Sequence, residues 1–258
     1  MKILITGING QVGHALMQHL IDHELIGITR KDCDLTNLDQ IKKTIDFHQP
    51  DLIINPAAYT KVDQAEDETE LAFQINRDAP RVMAEKAREY NIPFIHFSTD
   101  YVFDGEKVEA YVETDLTNPI GIYGQSKLAG EEVIQEVGGQ NYIFRTSWVY
   151  STIGHNFYLT MKKLSQERDE LKVVADQIGV PTSNQFIAEQ IKLLIGLANN
   201  LFGKFMPRAR AIRHQVVSPS IVMMELRDDG FDLLGDKLVR SRNPYLICHD
   251  FQLITLRT

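Results

Sequence analysis

Cysteine is nearly absent. Cys33 and Cys248 are the only two in 258 residues, they stand in no metal-binding or redox spacing, and such sparing use suits a reducing compartment. Both read as small buried side chains. Long apolar runs are missing too: nothing approaches the roughly 20 residues that a membrane-crossing helix needs. The chain opens directly into a strand-like run, without the basic stretch and apolar core of a secretory leader, so a cytoplasmic protein with no membrane partner is expected. Positive charge is in deficit, with 27 Lys+Arg against 35 Asp+Glu and a formal net charge of -8. Nucleic-acid binders neutralise phosphates with a cationic surplus, so no nucleic-acid partner is expected, and any nucleotide should be a small ligand held locally. Metal-binding spacing is lacking as well. His19 and His23 stand four apart on the first helix, yet Leu20, Ile21 and Asp22 between them do not make a metalloprotease motif, and no metal is expected.

The remaining composition, 43% hydrophobic and 24% charged, suits a globular protein of one large domain or of one domain with a smaller lobe. Lys2-Ile3-Leu4-Ile5-Thr6 is an apolar run broken by Gly7-Ile8-Asn9-Gly10-Gln11-Val12-Gly13, after which Leu16, Leu20 and Ile21 recur at helical spacing. A strand, a glycine-rich turn and a helix in that order open a dinucleotide-binding unit, because glycines let backbone N–H groups approach a pyrophosphate at the helix N-terminus. The spacing is G-x-x-G-x-x-G rather than G-x-G-x-x-G. Gly7, Gly10, Gln11, Val12 and Gly13 are the expected cofactor contacts. Leu25 to Thr29 reads as a second strand. An acidic residue near its end would bond a ribose 2′-OH, whereas Arg30-Lys31 suits a 2′-phosphate and leans toward NADPH, with NADH as the alternative. Asp34 and Leu35 lie where the chain crosses the adenine edge, and Thr36 and Asp39 have capping-box spacing before a helix. Asp51 to Asn55 is a third strand, and Ala57, Ala58 and Tyr59 in its exit loop are expected against the cofactor's phosphates and ribose.

The run from Glu66 to Tyr90 is helical in pattern, with Pro80 in the first turn of a second helix capped by Asp78. A fourth strand from Pro93 to Phe97 delivers Ser98, Thr99 and Asp100 to the carboxyl edge of the sheet, where open α/β sheets bind ligands. From Tyr123 a further helix runs to Gly138-Gly139, and Tyr142 to Thr146 makes a fifth strand. Tyr123 and Lys127 share one helix face, so the ammonium can sit beneath the phenol and ease transfer of its proton. A lone Tyr-x-x-x-Lys is common by chance. After a glycine turn, four strands and a Ser-Thr pair at a strand end it becomes a catalytic candidate.

Gly7 to Gly13, Ser98-Thr99-Asp100-Tyr101-Val102-Phe103-Asp104-Gly105, Tyr123 to Glu131, Phe144 to Tyr150 and Asp176 to Thr182 together resemble the extended short-chain dehydrogenase/reductase family, over roughly residues 1 to 195. The resemblance implies an α/β fold, with a Rossmann-type doubly wound parallel sheet and the catalytic residues in 1–150 and a small substrate lobe in 151–258. It implies reduction of the 4-keto group of a nucleotide sugar, dTDP-4-dehydro-L-rhamnose, to dTDP-L-rhamnose by hydride from NADPH or NADH. Carried over by position, Tyr123 donates a proton to the nascent C4 alkoxide. Lys127 would depress the pKa of Tyr123 and bond the nicotinamide ribose, and Thr99 would hydrogen-bond the reacting oxygen. Asp100 and Trp148 match substrate-contacting positions, and a homodimer is compatible with the family. Two other readings stay open: an NADP-binding regulatory subunit of the methionine adenosyltransferase type, and another nucleotide-sugar reductase or epimerase.

Residues 196–258 depart from the family. They carry 7 Arg and 2 Lys against 6 Asp+Glu, net +3, whereas residues 1–195 carry 18 Lys+Arg against 29 Asp+Glu, net -11. Tyr245 to Leu256 reads as an isolated strand, and no sustained period organises the rest. The segment reads as a diverged substrate lobe or, by a slight preference, as a tail translated out of its ancestral frame.

Overall fold

A computed structural model of the protein describes residues 1–168, 170, 173, 177–202 and 251–253. The chain divides into two compact units, Met1–Thr146 with Gln185–Leu194, and Ser147–Asn184 with Ile195–Thr258.

The first unit is built on five parallel strands: β1 (Lys2–Thr6), β2 (Glu24–Ile28), β3 (Leu52–Asn55), β4 (Phe94–Thr99) and β5 (Asn141–Thr146), in the spatial order β2-β1-β3-β4-β5. Four of them are short β-branched and apolar runs, and β1, β3 and β4 are buried along almost their whole length, as strands covered on both faces must be. After β1 the chain first turns to one side, to β2, and later to the other, to β3. The crevice where a doubly wound sheet binds ligands therefore lies between β1 and β3.

One face of the sheet carries Leu4, Ile53 and Phe94. These pack against Ile41 and Ile45 of α2 (Leu38–His48), Val82 and Met83 of α4 (Ala79–Glu89) and Ile134 of α5 (Ile122–Val137). Full burial of side chains of this size stabilises the fold by about 1.5–3 kcal/mol each. Because strand side chains alternate, Ile3, Ile5, Leu52, Ile54 and Ile95 point the other way. There α1 (Gln11–His19) packs on β1.

Several local expectations are corrected. The helix α1 stops at His19, whose Nδ1 is 2.9 Å from the Ala15 carbonyl, and His23 falls in the turn beyond it, so the two histidines do not share a helix. The cap of α2 is Asn37, accepting from the Gln40 N–H at 3.0 Å, because Asp34 instead takes both the N–H and the hydroxyl of Thr36. Asp78 caps nothing. The chain runs from α3 (Thr69–Phe73) through a π-helical turn at Gln74–Asp78 straight into α4, with Pro80 in its first turn, and the Asp78 carboxylate pairs with Arg77.

In the second unit, β6 (Val149–Tyr150) pairs in parallel with β8 (Thr182–Ser183), and β7 (Gln177–Gly179) pairs antiparallel with β9 (Phe251–Leu253). The Asn156 side chain caps α6 (Phe157–Glu167) by accepting from the Leu159 N–H at 2.9 Å. The strand β9 falls within the expected Tyr245 to Leu256 run. The out-of-frame reading of the tail otherwise lies outside the described residues. A last helix, α7, spans Asn184–Phe202. Among the described residues no helix is long and apolar enough to cross a membrane.

Candidate active site

The turn after β1 is shaped by contact with the exit of β3. Gly7 has a left-handed φ of 58°, and a Cβ there would stand 2.9 Å from the Cβ of Ala57. A side chain at Gly13 would collide with the Gly7 carbonyl, so the first turn of α1 lies directly on the loop. The Gly10 N–H donates to the Gly7 carbonyl at 2.9 Å, closing the turn. Gln11, Val12 and Gly13 then begin the helix, and a helix N-terminus is the end that favours an anion. Gly7, Gly10, Gln11, Val12, Gly13, Ala57 and Ala58 thus converge at the β1/β3 switch.

Tyr59 follows, but its polar groups are engaged. Its backbone N–H and carbonyl pair with the amide of Asn76 at 2.8 and 3.1 Å, and its hydroxyl donates to Glu68 at 2.7 Å. Its ring is buried beside Ala65 and Ala72, with Ile75 and Ile122 packed against that cluster. Arg30, beyond β2, is exposed and stands 3.9 Å from Asp34. The Asp34 carboxylate is held below its usual range, first by the Thr36 N–H. Leu35 packs against the core beneath this loop rather than standing out from it.

The end of β4 carries the candidate catalytic groups. The Thr99 hydroxyl donates to Asp100 Oδ1 at 3.0 Å and accepts from the Tyr101 N–H at 3.2 Å. A side chain at Gly124 would collide with the Tyr101 carbonyl, and this close approach of α5 brings the Tyr123 ring to 5.5 Å from that of Tyr101. Burial pushes the Tyr123 phenol up to about 12, and the neighbouring Thr99 hydroxyl only partly opposes it. The expected lowering by Lys127 is not among the influences on this phenol, and desolvation keeps its proton on. Burial likewise raises the Asp100 carboxyl to about 6. The Ser98 hydroxyl is buried with no hydrogen-bond partner among the described residues.

Lys127 lies one turn below Tyr123, 2% exposed. Its Nζ donates to the Phe97 carbonyl at 2.6 Å and is 3.3 Å from His96 Nε2. Burial lowers it to about 8, against the supporting charge of Glu131. Glu131 is itself buried and takes a multiply bonded ion pair from Arg145 on β5, 2.6 Å at the shortest. Behind Lys127, Asn55 Nδ2 is 3.1 Å from His96 Nδ1, and Thr6 Oγ1 donates to Asn55 Oδ1 at 2.6 Å. Asn55 and His96 are register partners on β3 and β4, and Thr6 follows Ile5, the partner of Ile54. Thr6, Asn55 and His96 are one polar rung across three buried strands, one pleat period above the apolar rung of Leu4, Ile53 and Phe94.

Thr99, Asp100, Tyr123 and Lys127 are thus brought together, and the glycine turn and Ala57-Ala58 are assembled beside β1 and β3. Trp148 belongs to the second unit, at a left-handed φ of 43°, with its ring against Gly179. The sequence reading passed over Asn55, His96 and Asn76. A polar residue at the carboxyl end of an otherwise apolar strand was the signal for the first two. Asn76, buried in the π-helical turn, also bonds Ser126 of α5 at 3.0 Å and so ties the Tyr59 loop to that helix.

A family model described as the RmlD substrate binding domain matches residues 1–203. A curated protein from Burkholderia thailandensis named dTDP-4-dehydrorhamnose reductase is 44% identical over 190 residues, covering 73% of this chain and 64% of that relative. The chain thus spans a little less than two thirds of the Burkholderia protein's length. One of the same name from Escherichia coli is 39% identical over 251 residues, covering 92% of this chain and 82% of the relative, so its match runs beyond residue 202. Among solved structures, a dTDP-4-dehydrorhamnose reductase from Bacillus anthracis in complex with NADP has a TM-score of 0.73 and 41% identity, covering 76% of this chain and 70% of that one.

Proposed function

The chain belongs to the RmlD substrate-binding-domain family, and on that premise we propose that it reduces the 4-keto group of dTDP-4-dehydro-L-rhamnose to give dTDP-L-rhamnose, in the cytoplasm, with NADPH preferred over NADH. The single observation that carries this reading is that two groups of residues stand at the carboxyl edge of one parallel sheet: the glycine turn, or cradle, between β1 and β3, and the Thr99–Tyr123–Lys127 cluster at the end of β4. The cradle suits a dinucleotide because Gly7, Gly13 and Ala57 leave the backbone open where any larger side chain would intrude. Gly10, Gln11, Val12 and Gly13 would hold the pyrophosphate, and Arg30 a 2′-phosphate. A nicotinamide cofactor held there supplies the hydride.

The protein's own residues manage the proton. A phenol at about 12 is fully protonated at neutral pH, which is the state a reduction requires of its acid. Tyr123 Oη–H gives its proton to the oxygen at C4 as negative charge develops there. Thr99 Oγ1 orients that oxygen, and Asp100 meets the sugar. Lys127, at about 8, is mainly charged at pH 7 and stabilises the phenolate left after transfer. The longer match to the Escherichia coli protein supports a diverged substrate lobe over an out-of-frame tail.

The test is oxidation of NADPH and of NADH by dTDP-4-dehydro-L-rhamnose with the full chain, beside Tyr123→Phe. The variant should keep cofactor affinity and lose about 10²–10⁴-fold in turnover, the usual contribution of a positioned acid. Near-normal turnover of Tyr123→Phe removes the assignment. Cofactor binding without any turnover of the intact chain favours the regulatory-subunit reading.

A further inference from the structure

His96 is fully buried in a strand and takes no direct part in the chemistry above. Its ring nevertheless fills the space between the Asn55 amide and the Lys127 ammonium, 3.1 and 3.3 Å away. An ammonium has three N–H donors and no acceptor, whereas a neutral imidazole has one donor and one acceptor. Burial, and then the charge of Lys127, keep His96 neutral. The nitrogen facing Lys127 must therefore be the acceptor while the lysine is charged.

Resting on the reductase reading, we propose that His96 is a positioning residue: its Nε2 and the Phe97 carbonyl take two of the three N–H directions of Lys127, leaving the third for the site above. The proton of His96 then sits on Nδ1 and is donated to the Asn55 oxygen, and the Asn55 N–H₂ turns to Thr6 Oγ1. As the side chains stand, Asn55 Nδ2 faces His96 Nδ1 and Thr6 Oγ1 donates to Asn55 Oδ1; a half-turn of the Asn55 amide exchanges its oxygen and nitrogen and reverses the direction of donation along the rung. The charged lysine selects the one that runs from Lys127 to Thr6. Around Lys127, the groups that share its field are His96 on β4, Glu131 one turn along α5, Arg145 on β5 paired with Glu131, and Tyr123 and Asp100 at the mouth of the site. Among the described residues, only His96 meets Nζ from the sheet side with a lone pair from a side chain. A histidine that merely filled the core would need only volume. This one needs an acceptor at Nε2.

Two measurements test this. In the full chain labelled with ¹⁵N-histidine, nuclear magnetic resonance at pH 6.5 should show His96 neutral with its proton on Nδ1. A proton on Nε2 overturns the proposal, and this result does not depend on whether the protein turns over a keto sugar. In the reductase assay, His96→Leu should lower turnover about tenfold and move the alkaline limb of its pH profile down by about one pH unit, as expected when a hydrogen bond to a charged group is lost. His96→Gln, which can present an amide oxygen, should restore most of both. A folded His96→Leu with an unchanged pH profile, or a Gln variant no better than Leu, also overturns it. Should His96→Leu fail to fold, the Gln variant and the nitrogen spectrum still decide. Should the intact chain show no turnover, the reductase reading fails and the spectrum still decides the role of His96.

Discussion

Replacing Lys127 by methionine keeps the length of an unbranched side chain and removes the buried charge, and the pH dependence of stability then reports how much that charge costs. Burial places Lys127 at about 8 against an ordinary lysine value of 10.5. The sign follows from proton counts. Between pH 8 and 10.5 the unfolded chain still holds the lysine proton while the folded chain has released it, so wild-type stability rises with pH through this window. Below pH 8 the penalty is at its full size, about 3 kcal/mol at 1.36 kcal/mol per pH unit. Integrating the two titrations from pH 7 to 9 relieves about 1.3 kcal/mol of it. Urea unfolding of wild type and Lys127→Met at pH 7, 8 and 9 measures this directly, because other titrating groups cancel in the difference. The wild type should gain about 1.3 kcal/mol on the variant across the range. A difference flat to within about 0.3 kcal/mol would refute a strongly desolvated lysine, and with it the reading that this residue is held ready at the expense of stability.

Two further substitutions probe the scaffold of the site. Gly13→Ala puts a methyl into the Gly7 carbonyl, so NADPH affinity should fall at least about tenfold and stability by about 1–3 kcal/mol, the usual range for overpacking; fluorescence titration with wild-type affinity would contradict the cradle. Asn76→Ala leaves the Tyr59 backbone groups and Ser126 without their partner. A loss of about 2–3 kcal/mol in denaturant unfolding is expected from the unsatisfied groups, accompanied by weaker cofactor binding, and a loss below about 0.5 kcal/mol would show that water replaces the amide at no cost.

The sequence was most legible where a pattern has a single physical cause. An apolar run ending in a glycine turn and a helix identified β1, α1 and the cradle because only small residues permit that approach, and the tyrosine and lysine of α5 announced themselves by helical period. It was least legible where polar groups find partners across the sheet. Thr6, Asn55 and His96 are 49 and 41 residues apart in the chain, and each alone reads as an unremarkable strand end. Asp78 misled for a related reason: a π-helical turn lets the chain pass Pro80 without a new cap, and nothing in local propensity distinguishes that turn from a break. The direction of the Tyr123 shift was missed because desolvation depends on enclosure, which spacing does not reveal.

The polar rung has a consequence for assembly of the sheet. Strands such as Ile3-Leu4-Ile5 and Ile53-Ile54 are apolar on both faces, so hydrophobic pattern alone hardly distinguishes one alignment of β1, β3 and β4 from an alignment slipped by one residue. A slip would turn Asn55 or His96 to the opposite, wholly apolar layer, with a buried amide or imidazole left unpaired. The rung therefore acts as a registration pin. The alignment in which the rung of Thr6, Asn55 and His96 keeps its hydrogen bonds is also the one that presents His96 to Lys127, so that a correctly zipped sheet and a correctly aimed lysine are the same event.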